Sequence, residues 1–261
     1  RFARQAGCTH AVVHLVERLR DGLPAAADEF CFGRTRAVGA VWAEATIADV
    51  ARQAADQGLA LAAIENIDPS FWCDILLDGP RRAAQIEGLK GLIRSLGRVR
   101  IPVLGYNFSL AGVWGRTEGP IARGGAHAPG FASGHPLENE PLPLGQLNNI
   151  VYDAEPPPGT LAPVSREQLW DRLARFLAEL VPVAEAAGVR LAAHPDDPPV
   201  AELRRTPRLL CRPTDLECLL DLVPSPANSL EFCAGTIQEM GEGNLYEIAA
   251  RCARRGAIAY V

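Results

Sequence analysis

Residues 165–199 read SREQLWDRLARFLAELVPVAEAAGVRLAAHPDDPP. Ser165, with Gln168 three positions later, carries the reciprocal signature of a capped helix start. Trp170, Leu173, Leu177, Leu180 and Val181 recur at helical spacing and give that helix one apolar face, and Gly188 ends it. Residues 189–193 follow at once as a short apolar run of strand type, finishing at His194. A capped amphipathic helix that feeds directly into an apolar strand is half of a βαβ unit, and such units build parallel sheets.

The same cadence extends both ways. Strands are expected at residues 11–16, 59–64 and 99–108 before this stretch, and at 229–233 and 257–261 after it. Helices are expected at 42–57 (stopped by Gly58), 81–96 (stopped by Gly97), 214–223 and 244–255. The strands are continuous apolar runs without alternation, as in a sheet covered on both faces. No Gly-rich dinucleotide fingerprint follows any strand, which disfavours a doubly wound open sheet. The expected fold is α/β, a (β/α)₈ TIM barrel of which about six strands are present, with the first and last missing. The chain starts at Arg1 in what reads as a helix and ends at Val261 in what reads as a strand. Residues 1–261 are read as a single barrel domain with one long Gly/Pro-rich loop at about 109–163; a loop of that length is usually a lid or binding loop.

Bulk properties narrow the function. The chain has 261 residues, the size of one such barrel, and 48% of them are hydrophobic, enough for a large core. The formal charge is −5 with no basic cluster, which argues against nucleic-acid binding. No apolar run approaches the ~20 residues of a membrane span. The seven cysteines lack tight paired spacing and fit a reducing, cytoplasmic setting better than a disulfide framework.

In a barrel the chemistry collects at the C-terminal ends of the strands. Those ends carry His14; Glu65 and Asn66; Tyr106 and Asn107; His194, Asp196 and Asp197; and Cys233. Imidazole and thiolate both ligate divalent transition metals, so His194 and Cys233 are metal candidates, each with a competing reading as a buried core side chain. Asp196 and Asp197 can orient the imidazole from behind, or simply form a turn. Glu65 can act as a base, accept from sugar hydroxyls, or pair with an arginine. Arg116 and Arg123, in the loop around Trp114, offer planar forks for a carboxylate or are solvated surface charges. His10, His127 and His135 carry no special context.

Tyr106-Asn107-Phe108, Trp114-Gly115-Arg116-Thr117, His194-Pro195-Asp196-Asp197-Pro198-Pro199 and Phe232-Cys233-Ala234-Gly235 together resemble, in order and spacing, the mannonate dehydratase family. The resemblance implies a xylose-isomerase-like barrel that dehydrates D-mannonate to 2-keto-3-deoxy-D-gluconate in hexuronate breakdown, with Mn²⁺ or Fe²⁺ as cofactor. It places metal ligands on His194 and Cys233 and expects a further His and an Asp ligand, with the acid/base residue, beyond Val261. These 261 residues alone are therefore expected to bind metal weakly and to be inactive or aggregation-prone. Asn107, Arg116, Glu65, Tyr106 and Trp114 are the candidates for holding the sugar acid. Assembly as a homo-oligomer is expected, without nucleic-acid or membrane partners. Two other readings stay open: a sugar isomerase or epimerase on the same barrel, which a Cys ligand disfavours, and a non-catalytic sugar-acid binder.

Overall fold

The computed structural model describes residues 2–24, 27, 31–35, 41–113 and 116–261, apart from the side chains of Arg116 and Pro129. Its main sheet contains six strands: β1 (His10–His14), β2 (Ala60–Glu65), β3 (Val103–Tyr106), β4 (Arg190–Ala193), β5 (Asn228–Glu231) and β6 (Ile258–Tyr260). They lie side by side in chain order, and every pairing is parallel. A doubly wound sheet would reverse its order partway; this one never does, so it is singly wound, as in a barrel. Among the described residues no pairing joins β1 to β6. The sheet nonetheless curls strongly. A Cβ on Gly105 of β3 would lie 2.5 Å from the Tyr260 hydroxyl of β6, three strands away across the concave side.

After a single helical turn at Phe2–Gln5, the helices are α1 (Glu44–Asp56), α2 (Pro69–Leu77), α3 (Arg82–Val99), α4 (Arg166–Ala187), α5 (Pro213–Leu222), α6 (Ala234–Glu239) and α7 (Leu245–Arg254). The α4 cap forms as the sequence requires: the Gln168 backbone N–H donates to Ser165 Oγ, and the Ser165 N–H donates to Gln168 Oε1. Gly188 closes α4 in the left-handed region at φ 68°.

Two helices go beyond the sequence reading. In α2, residues 69–76 are all buried, so it shows no polar face from which a helical period could be read. Asp68 starts it by accepting the Ser70 N–H at 2.9 Å. The short α6 begins directly after Cys233. Gly97 does not stop α3, which continues to Val99 and ends at Arg100 with φ 66°. The role of Gly97 is close packing: a Cβ there would come 2.4 Å from the Ala187 carbonyl at the end of α4. The third strand is correspondingly shorter than expected, Val103–Tyr106 within 99–108.

Residues 109–163 are also more ordered than a plain loop. Arg116–Gly119 pairs antiparallel with Ala128–Phe131. Gln146–Leu147 pairs with Ile150–Val151 across Asn148 and Asn149, both at positive φ, and Ile150–Val151 runs parallel to Gly33–Arg34.

The strands have two unlike sides. Ile64, Leu104, Tyr106, Leu191, Ala193 and Leu230 belong to the large core shared with the helices. Ala63, Val103 and Ala192 form a separate small cluster on the concave side, with Ala259 and Tyr260 against it. Successive side chains alternate between these sides. The parity decides which residues at the strand ends face the barrel mouth: Glu65, Asn107, His194 and Glu231 share the concave side, and Tyr106 does not.

Candidate active site at the mouth of the half-barrel

A cavity of about 360 Å³ opens at the C-terminal ends of the strands, within the ~300–1,000 Å³ range of small-molecule sites. Its wall includes His14, Arg18, Glu65, Asn66, Asn107, His194 and Asp197, with Val113, Asn148 and Ile150 from the segment after β3.

His194 sits one residue past β4. Its Nδ1 donates to the carbonyl of Pro195, which leaves Nε2 turned toward Glu231 Oε1 at 3.9 Å. Cys233 lies within hydrogen-bonding reach of the imidazole and 3.2 Å from the Thr236 hydroxyl of α6. Burial alone pushes the His194 pKa down, but hydrogen bonding to Cys233 and the Glu231 charge outweigh it and raise it to about 9. The hydrogen bond from His194, against opposing burial, lowers the Cys233 pKa and favours the thiolate. Glu231 is pushed up to about 7, chiefly by burial, with His194 and the Tyr260 hydrogen bond opposing and Glu65 adding to the rise. The Tyr260 hydroxyl donates to Glu231 Oε2 at 2.6 Å. On the adjoining wall, His14 Nε2 lies 3.4 Å from Glu65 Oε1.

The sequence-derived candidates fare differently. His194 and Cys233 do meet, and an imidazole nitrogen beside a thiolate suits a divalent transition metal as two of its ligands. Among the described residues, no group of three or more His, Cys, Asp or Glu side chains is arranged to hold an ion. Asn107 lines the cavity; its Nδ2 donates to the Pro195 carbonyl at 3.3 Å, while its Oδ1 is buried with no hydrogen-bond partner. Glu65 faces the same cavity.

Tyr106 is corrected. It is 0% exposed and packs against Trp72 and Phe176 at centroid distances of 6.4 and 5.3 Å, on the helix side of the sheet, so it cannot touch a substrate in the cavity. Asp196 is corrected too. It is buried, accepts the N–H groups of Leu209 and Leu210 at 2.9 Å each, and lies 3.4 Å from Arg208. These partners, and not the imidazole, occupy its carboxylate; the Pro195 carbonyl orients His194 instead. Asp197 lines the cavity. Trp114 lies outside the described residues, as does the Arg116 side chain; the Arg116 backbone opens the strand Arg116–Gly119. Arg123 is exposed in a 3-10 turn, and His135 caps another by accepting the Leu137 N–H at 3.2 Å.

Four residues had no role assigned from sequence. Glu231 stands two positions before Cys233, and period-two spacing alone would have flagged it. Tyr260 reaches the mouth only because the sheet curls. His14 meets Glu65 only through strand register. Arg18 has its guanidinium over the Phe32 ring at 5.2 Å. Its backbone is fixed where residue 19 bridges to residue 34, so close to Gly33 that a Cβ there would lie 2.6 Å from the Arg18 carbonyl carbon.

A singly wound parallel α/β barrel sheet whose concave strand ends bring imidazole, thiol, carboxylate and amide groups to one cavity belongs to the class of barrel domains with chemistry at the C-terminal mouth. Within that class the chain belongs to the D-mannonate dehydratase (UxuA) family, whose profile matches residues 32–141 and 158–261. It is 30% identical over 230 residues to mannonate dehydratase 2 of Halalkalibacterium halodurans, covering 85% of this chain and 66% of that protein. It is 29% identical over 239 residues to the mannonate dehydratase of Geobacillus thermodenitrificans, covering 86% and 64%. The chain thus spans just under two thirds of the length of these relatives. The fold matches the crystal structure of mannonate dehydratase from Streptococcus suis serotype 2 with a TM-score of 0.72 at 23% identity, over 96% of this chain and 70% of that one. Among the described residues no helix is long and apolar enough to cross a membrane.

Proposed function

We propose that the protein containing this chain is a metal-dependent hydro-lyase that converts D-mannonate to 2-keto-3-deoxy-D-gluconate and water, in hexuronate breakdown. Membership of the family supports the reaction class. The observation that carries the reading in this chain is the meeting of His194 and Cys233 at one end of adjacent strands, beside a polar cavity. His194 Nε2 and Cys233 Sγ hold the ion, Mn²⁺ or Fe²⁺. When bound, such an ion polarises substrate oxygens and stabilises developing negative charge.

The other residues bind and orient the sugar acid. Asn107 Oδ1, a buried acceptor without a partner, is matched to a substrate hydroxyl, because a donor there removes the penalty of an unpaired polar atom. Glu65 is a second acceptor on the same wall. Arg18 and Arg116 are the cations for the carboxylate; no carboxylate among the described residues pairs with Arg18. The seven cysteines are free, which supports a reducing, cytoplasmic setting. The test is D-mannonate turnover by the full-length protein with Mn²⁺ or Fe²⁺. Formation of the 2-keto acid is expected, and its absence under every divalent metal would overturn the assignment.

A further inference from the structure

Glu231 ends β5 two positions before Cys233 and beside His194, and both of its carboxylate oxygens have fixed directions. Oε2 accepts from the Tyr260 hydroxyl at 2.6 Å, and Oε1 faces His194 Nε2 at 3.9 Å. The Glu231 side chain is only 9% exposed. Tyr260 reaches it across the sheet because β3 carries glycine at position 105. A Cβ there would lie 2.5 Å from the Tyr260 hydroxyl, so a side chain at that place would displace the group that orients Glu231. Three strands thus combine to aim one carboxylate at the imidazole.

A carboxylate this deeply buried is costly unless a cation accompanies it. Among the described residues, the cation beside Glu231 is the His194 imidazolium. Burial pushes the Glu231 pKa up to about 7, with the His194 charge opposing. For His194, burial is outweighed by the Cys233 hydrogen bond and then by the Glu231 charge, so that charge already acts at the ring. Yet a ring nitrogen must be without its proton to hold a metal ion. Once Nε2 has lost it, Glu231 has no cation unless the ion takes the proton's place. The ion is served equally. His194 and Cys233 offer it one negative charge against its two positive ones, so a fixed anion beside them is favourable. Glu231 is not a third ligand, because among the described residues no three such side chains are arranged to hold an ion. It acts through its charge and through the fixed position of Oε1.

Resting on the metal-dependent dehydratase reading above, we propose that Glu231, held by Tyr260 across Gly105, is the anion that balances the ion bound by His194 and Cys233 and sets how tightly the site keeps it. Groups standing behind metal ligands commonly contribute 10–100-fold to metal affinity.

Titration of the full-length protein with Mn²⁺, the free ion read by its EPR signal, tests this. Glu231→Gln keeps the length of the side chain and an acceptor for Tyr260 but removes the charge. Its Kd for Mn²⁺ should rise by about 10–100-fold with the stoichiometry unchanged. Tyr260→Phe leaves the charge and loses its fixed position, and should weaken binding by less. Glu231→Asp and Glu231→Asn are alike in size and differ in charge, so Glu231→Asp should bind Mn²⁺ more tightly; a merely structural role would make the two equal, and equal affinities overturn the proposal. Wild-type affinity in Glu231→Gln overturns it too, while leaving the His194–Cys233 site intact. Complete loss of stoichiometric Mn²⁺ from a folded Glu231→Gln, as expected for His194→Ala, also overturns it, since Glu231 would then be a ligand itself. If Glu231→Gln does not fold, Tyr260→Phe decides, and wild-type affinity there overturns the proposal. A wild-type protein that binds neither Mn²⁺ nor Fe²⁺ overturns the metal reading and this inference together.

Discussion

Neighbouring residues at the end of one strand, Tyr106 and Asn107, meet opposite worlds. Tyr106 points into the helix-side layer among Trp72, Phe108 and Phe176, and Asn107 points into the cavity. The contrast repeats along the sheet: Ile64 against Glu65, Ala193 against His194, Leu230 against Glu231. The helix side is dry and tightly packed, so its side chains contribute stability through buried area and contact. The concave side carries small residues, Ala63 and Ala192, low in the barrel and ionisable residues at the rim. Its rim side chains contribute little packing and bring incompletely satisfied polar atoms to one place. One strand thus serves two ends by alternation alone, and substitutions on the two sides should separate stability from chemistry.

The largest separation is expected at His194 and Cys233. His194→Ala and Cys233→Ser should each abolish stoichiometric Mn²⁺ binding, read by elemental analysis, and turnover with it, while the urea midpoint of the metal-free protein stays close to wild type. On the opposite side, Trp72→Ala should cost about 3–5 kcal/mol in urea unfolding, because Trp72 is 1% exposed and its neighbours Phe71, Tyr106, Phe108 and Phe176 cannot collapse into so large a void. Metal binding by the folded fraction should persist.

Arg208 links the two sides. It is 1% exposed, donates to Ser109 Oγ at 3.0 Å and to the carbonyls of Gly112 and Pro198 at 2.6 and 3.1 Å, and faces Asp196. Arg208→Met leaves a buried carboxylate without its cation and should cost about 3 kcal/mol. It should also raise KM, because Arg208 ties the turn after His194 to the segment that walls the cavity. Asn107→Ala should raise KM for D-mannonate with little change in the unfolding midpoint, by the ~1–3 kcal/mol of a lost hydrogen bond in a buried site. Tyr106→Phe should be the smallest. Its hydroxyl is buried with no hydrogen-bond partner, so removal should change stability by less than about 1 kcal/mol and leave kinetics unchanged. A large kinetic effect of Tyr106→Phe would break the two-sided picture.

The α4 cap, the six strands and their order were legible because each rests on local signals: a Ser-x-x-Gln start, glycine stops and apolar runs. The helix α2 was not, since a segment buried all round has no amphipathic period. Gly97 misled because a glycine that ends a helix and a glycine that admits a neighbouring helix look alike in sequence. Of the site, His194, Cys233, Asn107 and Glu65 could be named from their places at strand ends. Tyr106 was misassigned because proximity to a strand end does not fix parity.

The sequence by itself determined which segments become strands and helices and which residue types stand at the strand ends, since these depend on neighbours within a turn or two of chain. Tertiary structure decided what those residues face and meet. The Glu231–Tyr260 bond needs β5 beside β6, the His14–Glu65 pair needs a one-residue slip between β1 and β2, and the approach of Tyr260 to Gly105 needs the whole sheet to curl. These contacts come from strand register and curvature, which are set by packing summed over distant segments and leave no mark in any single stretch of sequence.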